Sequence, residues 1–408
     1  MTKKAFLLAL VFCLLLSLFS PTLVQAQSSL KVLASSAQVE FPAKLNFNLS
    51  AESSVNIADV RLSYRVEREG FAEVTSEVYI EFAPGSKVDI SWALEMVKVG
   101  GLPPGSNLEY CWIIEDASGN RVETAPAAVQ FADNRYSWRN STEGQVILYW
   151  YKGDDAFAQE LMAAAQQALA RLAADTGAEL QKQASIYIYA SSRDLQGALI
   201  FPPGEWTGGV AYPRFGIIAI GIAPEDLSWG KRAIAHELSH LLIGQVTLNP
   251  YGELPVWLDE GLAMYAEGPL ELFFISQLSQ AASENRLISV QSLSSPFSAF
   301  TNEAVLAYAE SFSLVQFLIR NYGQDKMLEL LHTFGEGSGY DAAFLEVYGF
   351  DMDGLDALWR DYLVELFQLP KATVWTHPAL MGTTAAVATA LLLWLGLVVE
   401  ERTWSRNR

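Results

Sequence analysis

The chain of 408 residues is expected to be multidomain, with an all-β sandwich, then an α+β domain, then one transmembrane helix near its C-terminal end. Three observations lead there. Short alternating apolar runs separated by turn residues fill the stretch from Leu30 to about Phe131. After Asp133 strand-like runs give way to long helical periods. A charge-free apolar run from Ala379 to Val399 is about long enough to cross a bilayer as a helix.

Residues 1–26 read as a signal peptide, with Lys3 and Lys4, an apolar run from Ala5 to Phe19 and a small-residue exit at Ala26. An uncleaved N-terminal anchor is the alternative, and either way the bulk of the chain is exported. The sandwich is assigned to 27–134, the α+β domain to 135–369, a short linker to 370–378, the membrane helix to 379–399 and a cytoplasmic tail to 400–408. Arg402, Arg406 and Arg408 in that tail set the orientation, because cytoplasmic flanks are rich in basic residues. The expectation is a single-pass type I protein of the cell membrane, its main body extracytoplasmic. A buried C-terminal helix is disfavoured because the run has no polar face. Leu369-Pro-Lys-Ala-Thr373 resembles a wall-sorting signal but lacks the glycine after threonine.

The formal charge is −19, and setting aside Lys3, Lys4 and the net +1 of the tail leaves −22 on the exported part. Such a surface repels nucleic acid and anionic lipid, so no nucleic-acid partner is expected. Cys13 falls in the signal and Cys111 is then alone, which excludes an intramolecular disulfide in the mature chain.

The β runs are Leu45–Leu49, Val60–Val66, Glu77–Phe82 and Leu108–Ile114. Leu102-Pro-Pro-Gly-Ser106 and Asp116-Ala-Ser-Gly-Asn120 look like turns of immunoglobulin or fibronectin type III domains, which implies a two-sheet sandwich of that kind. No residue there demands chemistry. A spacer, or a module binding a protein or surface polymer, is the expected role.

In the α+β part, Gln145–Tyr151, Ala184–Ala190 and Phe215–Ile222 read as strands and Asp155–Ala174 as a helix. Lys231–Gly244 is helical by period, with Gly244 suited to a left-handed cap. On that helix His236 and His240 stand one turn apart and share a face, while Ile234, Leu238 and Leu241 point to the core. Two imidazoles on one face can converge on a zinc ion. Glu237 lies beside that face, where a general base would take a proton from water activated by the metal.

Downstream, Leu254-Pro-Val-Trp-Leu-Asp-Glu-Gly261 follows the pair. The segment resembles the second metal helix of gluzincin metallopeptidases, with the pattern Trp-Leu-x-Glu-Gly, and the likeness is closest to the peptidase MA-like group over roughly 140–367. The resemblance implies a zincin-like domain holding one zinc ion per chain through His236, His240 and Glu260, with Glu237 as catalytic base. It also makes Tyr308 the candidate donor to the tetrahedral oxyanion. Gly261 would let a neighbouring helix approach, and Gly268-Pro269 would stop the second helix. Gly208-Gly-Val-Ala-Tyr-Pro213 fits the edge strand on which an extended peptide pairs. The acidic residue with which the aminopeptidase branch holds a free amine is not seen on that strand, which favours an endopeptidase.

Asp259, Glu267, Glu303 and Glu310 are all candidates to orient the histidines, and Met264 stands where some gluzincins carry an acid. His332 and His377 lack partners at helical spacing and read as surface or interface residues. The function implied is a membrane-anchored, extracytoplasmic zinc metallopeptidase acting on peptide or protein substrates. The reading of another class is a surface binding or adhesion protein with a structural or relic zinc site, distinguished by whether the fourth metal position is plugged.

Overall fold

A computed structural model describes residues 30–70, 72–201, 208–298 and 301–368. The signal peptide, the linker at 370–378, the apolar run at 379–399, the tail at 400–408 and His377 lie outside the described residues. Among those described, no helix is long and apolar enough to cross a membrane.

The N-terminal region is β-rich. Its strands are β1 (Lys31–Glu40), β2 (Lys44–Val66), β3 (Thr75–Tyr79), β4 (Gly85–Glu95), β5 (Ser106–Asp116), β6 (Arg121–Glu123) and β7 (Ala127–Phe131), with one short helix, α1 (Met96–Val99). The runs at Leu45–Leu49 and Val60–Val66, read as separate strands, are the two halves of the 23-residue β2. Residues 44–52 pair with β1 and β4, and residues 57–66 pair with β3 and β5, so the strands form one continuous seven-stranded sheet. The polar stretch between them looks like a turn in sequence. It is held instead by the turn after β5: Ser53 donates to buried Asp116 (2.8 Å) and Ala117 N–H to Asn56 O (2.8 Å). The two halves face each other through aromatic rings, Phe47 lying 4.9 Å from Tyr110 and Trp92 6.2 Å from Tyr64.

A five-stranded sheet follows, in the order β11-β12-β10-β9-β8. Its strands are β8 (Arg139–Glu143), β9 (Val146–Trp150), β10 (Ala184–Tyr189), β11 (Gly209–Tyr212) and β12 (Ile217–Gly221). The central three are parallel and the two edges antiparallel. Helix α2 (Asp155–Thr176) crosses between β9 and β10, capped by the Asp154 carboxylate on Phe157 N–H (2.8 Å). Alternation along the strands sorts the two faces. Ile186, Ile188, Ile218 and Ile220 join the core under the helices, whereas Tyr187, Tyr189, Ile217 and Ala219 join the core of the N-terminal sheet. That contact is pinned by buried Asp133, which accepts from Arg135 Nε (2.8 Å) and Tyr189 OH (3.0 Å).

The remainder is helical: α3 (Ser192–Gln196), α4 (Leu227–Val246), α5 (Val256–Glu267), α6 (Leu272–Ser283), α7 (Val290–Leu293), α8 (Thr301–Tyr322), α9 (Gln324–Gly335), α10 (Tyr340–Tyr348) and α11 (Met352–Leu366). Ile234, Leu238 and Leu241 on α4 are buried, giving that helix its core side. Gly244 is not its cap. The helix runs on to Val246, and a Cβ at Gly244 would stand 2.5 Å from Pro213 Cγ, so the glycine serves close packing against the turn after β11.

Candidate metal centre

Helices α4 and α5 pack together and bring three donors to one point. His240 Nε2 lies 3.1 Å from His236 Nε2, and Glu260 Oε2 lies 3.6 Å from the latter and 3.8 Å from the former. The i, i+4 spacing turns both rings the same way, and Glu260 meets them from one turn into the next helix. Gly261 makes that position possible, because a Cβ there would collide with the Ser311 carbonyl of α8.

The far nitrogens of both rings are held by carboxylates. His236 Nδ1 is 2.9 Å from Glu267 Oε1, and His240 Nδ1 is 3.0 Å from Asp259 Oδ2. Acceptors there put the ring proton on Nδ1 and leave each Nε2 lone pair facing inward. Glu267 is fixed in turn by Arg232, whose Nε and Nη2 donate to Oε2 at 2.9 and 2.7 Å. Arg232 also pairs with Glu271 at the start of α6.

Such a centre is unsatisfied without a cation. Glu260 Oε2 is buried and has no hydrogen-bond partner, although it faces two imidazoles. Burial pushes His236 down, but Glu260 and Glu267 outweigh it and lift its pKa to about 10. His240 rises to about 9 against the same burial, chiefly through Asp259. The field thus favours positive charge at the point where the donors meet, and two imidazole nitrogens with one carboxylate oxygen suit zinc.

Glu237 is buried beside this point, and burial, opposed by His240 and His236, raises its pKa. Strand β11 runs along the sheet edge next to it. A Cβ at Gly209 would lie 2.7 Å from Glu237 Oε1, so only glycine lets the strand pass so close. Tyr308 lies on α8, and its hydroxyl pKa is raised by burial and then by the charges of Glu260, Glu237 and Glu267. Phe297 packs edge-on against its ring at 5.2 Å. Tyr212, at the end of β11, was not singled out from sequence; burial and Glu237 raise it to about 12. Its one signal was its place in the glycine-led edge strand.

Of the four carboxylates weighed as orienting groups, Asp259 and Glu267 take that part. Glu303 is exposed. Glu310 is buried on another side of α8, accepting from Ile288 N–H (3.1 Å). His332 is exposed on α9, as expected.

Residues 164–365 match the family profile described as Peptidase MA superfamily. The α+β region belongs to the peptidase MA superfamily. Among solved structures, the chain is similar to an M1 zinc metallopeptidase from Deinococcus radiodurans, at 14% identity over 82% of this chain and 94% of that one, TM-score 0.32. It is also similar to aminopeptidase A from Legionella pneumophila, at 10% identity over 81% of this chain and 50% of that one, TM-score 0.36. A third likeness is to a catalytically inactive OgpA from Akkermansia muciniphila, at 8% identity over 26% of this chain and 30% of that one, TM-score 0.20. The chain therefore spans under a third of the length of OgpA and half that of the Legionella enzyme. No curated protein matches it in sequence.

Proposed function

We propose that the chain is a zinc-dependent endopeptidase whose site works at the outer face of a membrane to which its C-terminal apolar segment anchors it. The observation that carries the peptidase reading is the convergence of His236, His240 and Glu260 on one point, with the unliganded carboxylate of Glu237 beside it. Zinc, when bound there, supplies Lewis-acid polarisation of a peptide carbonyl and makes water acidic near neutral pH.

The residues of the chain do the rest. Asp259 and Glu267 hold the two rings in the tautomer that presents Nε2. Glu237 takes the proton of the attacking water and passes it to the leaving amine. The Tyr308 hydroxyl, kept protonated by burial, donates to the oxyanion. An extended substrate adds along β11, the outer strand of the sheet among the described residues, where Gly209 brings its scissile bond beside Glu237. β11 reads Gly-Val-Ala-Tyr and offers no carboxylate for a free amine, which supports cleavage of internal bonds.

The test is Glu237→Gln in the full chain. Peptide hydrolysis should fall by a factor of at least about 10² while about one zinc per chain is retained. A variant that binds zinc and cleaves at the unaltered rate overturns the mechanism.

A further inference from the structure

The start of α6 exposes a cluster of large apolar side chains: Leu272 is 83% exposed, Phe273 57% and Ile275 37%. Helix α11 packs against α6 and ends the described chain. Its Asp356 accepts from Val290 N–H (3.0 Å), and one turn on Arg360 donates to Ile288 O (3.2 Å) and Leu287 O (3.3 Å). As α11 ascends, the chain it touches thus descends toward α6, against which α11 packs. Leu366, 46% exposed, is the last residue of α11. Only residues 367–378 separate it from the charge-free run that begins at Ala379, a reach of at most about 40 Å.

We propose that Leu272, Phe273 and Ile275 are a bilayer-docking surface that seats the peptidase domain on the membrane beside its own anchor. The proposal rests on the anchoring reading given above. The tether keeps α11, and with it α6, within about 40 Å of the lipid, where three exposed apolar side chains at the start of α6 can enter the boundary between headgroups and acyl chains. The exported part carries a formal charge of −22, so attraction to anionic lipid is not the driving force. Docking is therefore insensitive to salt and occurs on zwitterionic lipid.

A consequence for substrates follows. Glu271, next to Leu272, pairs with Arg232, which lies one turn, about 6 Å, before His236 on α4. Docking holds the metal centre close above the lipid surface, so the substrates are chain segments that emerge from the same membrane.

The experiment uses the full chain in phosphatidylcholine vesicles, with Cys13→Ser and Cys111→Ser and an environment-sensitive thiol dye at Phe273→Cys or, as control, at Tyr251→Cys. Tyr251 is 80% exposed and follows the opposite end of α4. Iodide in the aqueous phase should quench the dye at 273 about threefold or more less than at 251, with no change in 0.5 M salt, and Leu272→Glu should restore quenching at 273. Equal quenching at both positions in vesicle-bound chain overturns the docking surface and leaves the anchor standing. A chain that does not float with the vesicles overturns the anchor, and the docking surface with it.

Discussion

Replacing Glu267 with alanine tests whether its carboxylate sets the metal affinity. In the structure Oε1 accepts from His236 Nδ1 at 2.9 Å, and Oε2 is gripped by Arg232 Nε and Nη2 at 2.9 and 2.7 Å. Loss of a charge-assisted hydrogen bond costs about 1.5–3 kcal/mol. Loss of an outer partner of a metal-bound histidine typically costs about 10–100-fold in affinity, or about 1.4–2.7 kcal/mol, so the two routes agree. Arg232 keeps Glu271 as a partner, so it is not left as a lone cation. Zinc affinity measured by chelator competition on the full chain should therefore fall about 10–100-fold in Glu267→Ala, and by less in Glu267→Gln, whose amide oxygen still accepts. Glu310→Gln serves as control, since that carboxyl bonds the Ile288 N–H instead of a histidine. Zinc affinity in Glu267→Ala within twofold of the parent would refute the reasoning.

Tyr308→Phe should lower kcat about 10²-fold with zinc affinity unchanged; a drop of only a few-fold makes the tyrosine a packing residue. Gly209→Val places a side chain against the Glu237 carboxylate and should cut peptide hydrolysis about 10²-fold, again with zinc retained. Full activity in this variant would remove β11 from the site. Burial raises Glu310 from 4.5 to about 8, so the folded chain holds a proton there that the unfolded chain has released. Its contribution to stability is complete below about pH 4.5 and is lost as pH rises to about 8, a span of at most about 4–5 kcal/mol. Denaturant unfolding from pH 5 to 8.5 should show this decline, and Glu310→Gln should flatten it; parallel profiles would place the ionisation elsewhere.

The site was legible where one helix carried it. His236, Glu237 and His240 follow from the helical period alone, and Glu260 came from the pattern around it. Which carboxylate orients which ring was not legible, because Glu267, Glu303 and Glu310 differ only in how three helices meet. Glu267 stands two turns beyond Glu260 on the same side of α5, a spacing that did point at α4 once Glu260 was placed there. In the N-terminal region the polar residues between Leu49 and Val60 looked like a turn, because the Asp116 carboxylate that receives Ser53 lies 63 positions away in the chain. Gly244 was misread for a related reason: a glycine inside a helix has the same local signature whether it ends the helix or admits Pro213.

Helix α8 shows why so much of the site depends on contacts between helices. Tyr308 feels the charges of Glu260, Glu237 and Glu267, and Ser311 and Val315 receive Gly261, next to the third donor. Glu310 holds the Ile288 N–H after α6, and Ser313 accepts from Trp359 Nε1 of α11 at 3.1 Å. Ser311 and Val315, four apart, share one side of the helix with Tyr308, three before Ser311, whereas Glu310 and Ser313 share another, so these five residues serve the α5 side and the side of the α6–α7 turn and α11 separately. A shift of α8 would move Glu260 and Tyr308 together, and with them the turn that α11 grips through Arg360. The geometry at the metal and the position of the turn that α11 grips are therefore set by the same helix.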